Sequence, residues 1–343
     1  MNYNLGRKGI FVFTDAAGAN AILAIVDNLI KEGNVPRIDF KIFTNSKGVF
    51  NSEYSKIVDV VEFDAAVLTE SIVNFSPDYI FTATSFNNYE HRWRKLASDL
   101  SIKTYAFIDH WVYYYKRFSF DNETIFADEI WVINEIAKRE AIEEGLPEKS
   151  IIISGNPYYA KVRKFCPSES KKAFFRKHNL PLDKKIILFV SENIKSDLPK
   201  DTTGNCILGF DEYTIMKDLL ESFGKLVIKK KLDFSKYLLV IKIHPISDEH
   251  KFDYLINKEE YKDLNILSIK KIDPLPLAYY SDYILGMFSN LLIEALLLGK
   301  NVTRIQTGQK IDLFKFEEVT CDLINNIQNL DDNLELFMLN NNN

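Results

Sequence analysis

Residues 9–31 read GIFVFTDAAGANAILAIVDNLIK. The run at 9–14 is apolar, β-branched and aromatic, and short enough to be one strand buried on both faces of a parallel sheet. The small residues Ala16, Ala17, Gly18 and Ala19 follow, and apolar residues then recur at helical spacing over 20–31. Strand, tight turn and helix in that order form the first half of a βαβ unit. The same pattern recurs downstream, with strands expected at 40–44, 79–84, 104–108, 129–133 and 150–153. Helices are expected at 65–73, 90–100 and 136–144.

The character changes at 159–170, where KVRKFCPSESKK (161–172) is charged and contains Pro167, with Ser168 as the expected N-cap of a helix running to His178. An interdomain linker fits there. Beyond it the pattern restarts: KIILFV at 185–190, a long helix at 211–230 and YLLVIKI at 237–243. A strand at 283–286, a helix at 290–299 and NVTRI at 301–305 complete it. The expected fold is therefore α/β, with two doubly wound Rossmann-like lobes: a domain at 1–162 and a second at 163–343. The Asn-rich end at 340–343 is expected to fray.

Composition narrows the function classes. The 343 residues are 46% hydrophobic and 27% charged, enough apolar material for two packed cores and unlike a disordered chain. A net charge of −5 argues against a nucleic-acid partner, which is held mainly by clustered Lys and Arg. Cys166, Cys206 and Cys321 are odd in number and widely spaced, so neither a disulfide framework nor a metal knuckle is expected. No apolar run approaches the ~20 residues that span a bilayer. A soluble, cytoplasmic chain is expected, with peripheral contact at a membrane surface left open.

Ligands of open α/β sheets bind beyond the carboxyl ends of the strands, and five polar segments fall there. Asp15, Gly18 and Asn20 lie in the small-residue segment after the first strand, which could hold an anion or be a tight turn with Asp15 or Asn20 as a cap. Asp109 and His110 follow the strand at 104–108, and each is a candidate general base. Beyond them, Trp111, Tyr113, Tyr114 and Tyr115 with Lys116 and Arg117 could form a sugar-stacking platform or an aromatic layer closing the lobe. Gly155-Asn156-Pro157 marks a turn out of the sheet. Ser191-Glu192-Asn193 follows the first strand of the second lobe, either meeting a ligand or capping a helix. His244-Pro245 ends one strand, while Ser289 and Asn290 open a helix whose N-terminus suits phosphate.

The order His244-Pro245, then Ser-Asn-Leu-Leu-Ile-Glu-Ala-Leu-Leu-Leu-Gly at 289–299, resembles the GT-B glycosyltransferases, in particular the bacterial sialyltransferase and polysialyltransferase type. The resemblance implies catalysis in a cleft between the lobes. A CMP-activated donor would be held by the HP motif and by Ser289, with Glu294 nearby. An acidic motif in the first lobe would supply the base. Asp109 keeps the middle acid of that motif, whereas Ile108 replaces an acid and His110 a glycine.

A broader similarity, through Gly155-Asn156-Pro157, Ser191-Glu192-Asn193 and Glu294-Ala295, is to the UDP-GlcNAc 2-epimerase type. There Val190-Ser191 replaces an expected His-Arg, and Met287-Phe288-Ser289-Asn290 replaces an Asp-Ser-Gly-Gly phosphate loop. Teichoic-acid glycerophosphotransferases share the Lys-x-His-Pro segment. The implied function is inverting transfer of a sugar, such as a nonulosonic acid or Kdo-like residue, from a CMP donor to a surface glycan or its lipid-linked precursor. His244 would stabilise the leaving phosphate, Asp109 or His110 would act as base, and Asp15, Gly18, Asn20 and Tyr113 would meet the acceptor. No cofactor and no metal are expected, since the chain has no DxD motif. The alternatives are a UDP-sugar transferase or epimerase, and a non-catalytic carbohydrate-binding protein.

Overall fold

A computed structural model describes residues 5–31, 39–46, 49–50 and 52–339. The tail at 340–343 lies outside them. The chain forms two units, Met1–Lys161 and Val162–Asn343. In the first, β1 (Lys8–Val12), β2 (Asp39–Thr44), β3 (Val58–Val60), β4 (Tyr79–Thr82) and β5 (Lys103–Phe107) alternate with α1 (Ala16–Lys31), α2 (Ala65–Phe75) and α3 (Tyr89–Asp99). A two-residue hairpin, β6 (Ser119–Phe120) and β7 (Glu123–Thr124), turns through Asp121 and Asn122, both at positive φ. Then come β8 (Glu129–Val132), α4 (Glu135–Glu143), β9 (Ile151–Ile153) and α5 (Pro157–Arg163), in which the division into units falls.

The second unit runs α6 (Lys171–Lys177), β10 (Lys185–Val190), α7 (Ile194–Asp197), α8 (Glu212–Ile228), β11 (Tyr237–Lys242), α9 (Asp253–Ile256) and β12 (Ile266–Ile269). It continues through α10 (Pro274–Tyr280), β13 (Tyr283–Gly286), α11 (Asn290–Leu297), β14 (Val302–Ile305), β15 (Asp322–Ile324) and α12 (Leu330–Leu339). The sheets are ordered β3-β2-β1-β4-β5-β8-β9 and β12-β11-β10-β13-β14-β15, and all neighbours in them run parallel.

Both sheets are doubly wound, as the apolar runs predict. Their central strands are buried along nearly their whole length, which only helices on both faces can achieve. Strand order reverses between β1 and β4 in the first unit and between β10 and β13 in the second. These are the topological switch points, where the loops diverge to opposite faces and a crevice opens.

Three local expectations change. Helix α1 starts at Ala16 rather than Asn20, so the small residues are its first turn. The cap of α6 is Ser170, whose side chain accepts from the Ala173 N–H at 3.3 Å, rather than Ser168. The edge strands β3, β12 and β15 and the helices α10 and α12 have no counterpart in the sequence pattern: the strands run three or four residues, and α10 carries Pro274 and Pro276 in its first turn.

Candidate functional site

In the first unit the loops after β1 and β4 meet at the switch point. Thr14 Oγ1 lies 2.6 Å from Ser85 Oγ and 2.7 Å from Glu90 Oε1, and Ser85 Oγ lies 2.5 Å from Glu90 Oε2. Asn87 Nδ2 donates to Thr14 Oγ1 at 2.6 Å. Thr14, Ser85 and Glu90 are buried. Three oxygen–oxygen contacts close this ring, and each needs one proton. The two hydroxyls supply two, so the ring closes fully only when Glu90 carries the third. Burial raises its pKa and the nearby Asp15 charge adds to that, against the bonds from Ser85 and Thr14. The signal in the sequence was Thr84-Ser85 directly after a strand, with Glu90 at the next helix start, and it was missed.

Asp15 is the cap of α1: Gly18 N–H donates to its Oδ1 at 2.7 Å and Ala19 N–H to its carbonyl at 2.9 Å. Gly18 therefore lies inside a helix. A Cβ there would come within 2.6 Å of Ala83 Cβ, so close packing of α1 on the end of β4 explains the glycine. Asn20 sits half-buried in the second turn of α1.

Asp109 is buried beyond β5, with Arg117 Nη1 at 3.4 Å. The same guanidinium donates to the Thr84 carbonyl at 2.6 Å and, through Nε, to the Val112 carbonyl at 3.1 Å, binding the loops after β4 and β5 together. Arg94 reinforces this from α3, donating to Thr82 Oγ1 and to the carbonyls of Ala83 and Arg117. Asp15 keeps some exposure. Its pKa rises to about 6, first through burial and then through the Asp109 charge, against the Gly18 N–H and Arg117.

His110 does not suit the role of base. Its Nδ1 accepts the Trp111 N–H at 3.0 Å, which puts the ring proton on Nε2, so neither nitrogen is available to take another. Burial, and then Arg117, push its pKa down to about 3. The aromatic run divides. Trp111 and Tyr114 enter the core, while Tyr113 turns outward against Phe86. Gly155-Asn156-Pro157 is a turn and a cap: Gly155 has φ 67°, and Asn156 Oδ1 accepts the Tyr158 N–H at the start of α5.

In the second unit the loops after β10 and β13 meet in the same way. Glu192 is buried, and its Oε1 accepts the Phe288 N–H at 2.8 Å. Its pKa is pushed up to about 8 by burial, against the backbone N–H groups of Phe288 and Ser289. Glu192 thus holds the loop that leads into α11. Each switch point is spanned by the hydrogen bonds of a buried Glu whose pKa burial raises.

Asn193 Oδ1 accepts from Ser247 Oγ at 3.0 Å, tying the β10 loop to the segment after His244-Pro245. Ser191 is buried, His244 half-buried and Pro245 exposed. Lys251 donates to the Glu192 carbonyl at 2.9 Å and pairs with buried Glu212 at 3.1 Å, a support invisible in the sequence. Lys242, the last residue of β11, is buried with its Nζ on the Ile243 carbonyl. Burial lowers its pKa to about 8, and Lys270 contributes.

Ser289 caps α11, its Oγ accepting the Leu291 N–H at 3.3 Å, which occupies one lone pair of the hydroxyl. Asn290 opens the helix and has a buried Oδ1 with no hydrogen-bond partner among the described residues. One turn on, burial and then Asp273 push Glu294 up to about 8. The structure therefore gathers Ser191, Glu192, Asn193, His244, Pro245, Ser289 and Asn290 along the carboxyl ends of three adjacent strands, with Glu294 behind them. Asp15, Asp109 and His110 collect on the corresponding edge of the first unit. Among the described residues no group of three His, Cys, Asp or Glu could hold a metal ion, and no helix is long and apolar enough to cross a membrane.

No protein-family model matches the chain, and no curated protein sequence matches it. Solved structures do. The UDP-GlcNAc 2-epimerase of Neisseria meningitidis bound to UDP-GlcNAc is 16% identical over 96% of this chain and 91% of that one, with a TM-score of 0.66. Staphylococcus aureus MnaA, in a co-structure with UDP, is 15% identical over 97% and 88%, with a TM-score of 0.62. Anabaena Alr3699/HepE in complex with UDP-glucose is 12% identical over 96% and 90%, with a TM-score of 0.62. At these identities the likeness establishes the fold, two Rossmann-like units of the GT-B kind, along nearly the whole chain. It supports the epimerase-type resemblance rather than the sialyltransferase type.

Proposed function

We propose that this chain is a glycan-pathway enzyme acting on a UDP-linked sugar, breaking the bond between the anomeric carbon and UDP. The observation that carries this is Ser289 and Asn290 at the N-terminus of α11, a position suited to a diphosphate, with His244 at the end of β11, two strands along the same sheet edge. The neighbours with UDP, UDP-GlcNAc or UDP-glucose bound support UDP over the CMP expected from the HP and Ser motifs. His244 and Ser289 would donate hydrogen bonds to the leaving diphosphate, and Glu192 would keep the Phe288–Ser289 backbone in place.

In the fuller reading the sugar passes to an acceptor hydroxyl. Asp15 takes the hydroxyl proton, the alkoxide oxygen attacks the anomeric carbon, and UDP departs with the bonding pair. Asp15 fits better than Asp109, which is buried against Arg117, because Asp15 is partly exposed and its own pKa is raised to about 6. The neighbouring acids Asp15 and Asp109 favour a second reading, 2-epimerisation: one, as the carboxylate, removes the C2 proton as UDP leaves with the bonding pair, and the other, as the carboxylic acid, delivers a proton to the opposite face of C2 while UDP adds back to C1. Incubation with UDP-GlcNAc in D₂O separates them. Epimerisation puts deuterium at C2 without an acceptor, whereas transfer releases UDP only with one. Absence of both C2 deuteration of UDP-GlcNAc and UDP release from UDP-GlcNAc and UDP-glucose, with and without a mixed glycan acceptor pool, would leave the carbohydrate-binding alternative.

A further inference from the structure

We propose that Phe86, Tyr113 and Lys116 form a subsite on the first unit for a pyranose ring that carries an anionic group, a carboxylate or a phosphate. This rests on the reading that the first unit receives the acceptor. Phe86 is 49% exposed, directly after the Thr84-Ser85 strand end, and Tyr113 meets it edge to face with centroids 5.8 Å apart. The two residues come from the loops after β4 and β5, both at the carboxyl edge where Asp15 and Asp109 lie.

Two features set this pair apart from incidental surface aromatics. Tyr113 has φ 57° and is the only aromatic among the described non-glycine residues with positive φ, a conformation that costs ~1 kcal/mol or more in a residue with a bulky side chain. That conformation presents its ring to Phe86, while its sequence neighbours Val112 and Tyr114 face other surroundings. The platform is also held from beneath. The Arg117 guanidinium lies 4.6 Å from the Phe86 centroid, and the same group binds Asp109 and the Thr84 and Val112 carbonyls. The stacking surface and Asp109 are therefore held by one side chain.

The charge comes from Lys116. Its ammonium lies 5.7 Å from the Phe86 centroid and 5.6 Å from that of Tyr113, and the residue is exposed. No carboxylate among the described residues forms an ion pair with it. An apolar C–H face of a pyranose matches the ring surface, and an anionic substituent at its rim matches the ammonium. A neutral sugar would use the first feature alone.

Saturation-transfer NMR and titration of the full chain with methyl β-D-glucoside, methyl β-D-glucuronide, glucose 1-phosphate and inorganic phosphate test this. The glucuronide or the glucose phosphate, or both, should bind at least tenfold more tightly than the glucoside, and which of them does identifies the anion. Phe86→Ala should weaken every sugar at least tenfold. Lys116→Met should bring the anionic sugars to the level of the glucoside, leaving the glucoside unchanged. Equal binding of charged and neutral sugars by the wild type, binding of inorganic phosphate as tight as that of glucose phosphate, no sugar binding, or indifference to Phe86→Ala in a variant with wild-type circular dichroism would overturn the subsite. UDP affinity measured on the same samples keeps the outcomes apart. A wild type that binds the anionic sugar but not UDP contradicts the proposed function and leaves the subsite standing.

Discussion

Replacing Glu90 with Gln should make the first unit more stable relative to wild type as pH rises. The ring of Thr14, Ser85 and Glu90 needs three protons and its two hydroxyls carry two, so the folded protein keeps Glu90 protonated. In the unfolded chain the group ionises near its ordinary value of 4.5. Below that value both states are protonated and the hydrogen-bonded acid contributes fully. Above it the unfolded state is progressively favoured, until the folded group itself ionises. The penalty grows by ~1.4 kcal/mol per pH unit, or about 2 kcal/mol from pH 5 to 6.5.

Glutamine cannot ionise, and its amide supplies both an acceptor and a donor to the same hydroxyls, so the variant escapes this penalty. Alanine removes both contacts and should cost ~2 to 4 kcal/mol below pH 4.5, a cost that shrinks as pH rises because alanine escapes the same penalty. Urea unfolding followed by tryptophan fluorescence suits the measurement, because the only tryptophans, Trp93, Trp111 and Trp131, all lie in the first unit. Two pH curves that run parallel from 5 to 6.5 would mean that Glu90 is ionised when folded and that the proton count is wrong.

Further outcomes follow from the same geometry. Asp15→Asn should lower kcat by ~10² to 10⁴ as a lost general base. In the wild type kcat/KM should fall below about pH 6, and Asp109→Asn should move that limb to lower pH by removing the charge that raises Asp15. An unmoved limb would uncouple the two carboxylates. His110 should show the Nε2-protonated neutral pattern in ¹⁵N NMR with no titration between pH 5 and 8, and a midpoint near 6.5 would reverse its assignment. Lys251→Met should destabilise the second unit by ~3 to 5 kcal/mol, since it leaves Glu212 buried without its cation. The double variant Lys251→Met, Glu212→Leu should recover much of that loss, and equal instability in both variants would assign the effect to packing.

The central strands were legible because burial on both faces writes them as unbroken apolar runs, such as GIFVFT and KIILFV. Of the edge strands only β9 was, whereas β3, β12 and β15 run three or four residues and are only partly buried, which leaves no such signature. Strand-end residues could be placed along a sheet edge for the same reason. What each side chain does there depends on partners distant in sequence. Ser289 read as a phosphate contact at a helix N-terminus, and its Oγ also accepts the Leu291 N–H as the helix cap. Gly18 read as room for a ligand, yet the atom that would fill it is Ala83 Cβ. Glu90 and Phe86 escaped notice because neither belongs to a motif. Their importance comes from Thr14, 76 residues away, and from Arg117, in a different loop.

The most direct test of the proposed function is calorimetric titration of the full chain with UDP and with CMP. Ser289 and Asn290 at α11 and His244 on the same sheet edge, together with the UDP-binding neighbours, predict that UDP binds at least tenfold more tightly than CMP and that His244→Ala weakens it. Tighter binding of CMP would restore the sialyltransferase-type donor, and heat from neither nucleotide would contradict an enzyme of nucleotide sugars altogether.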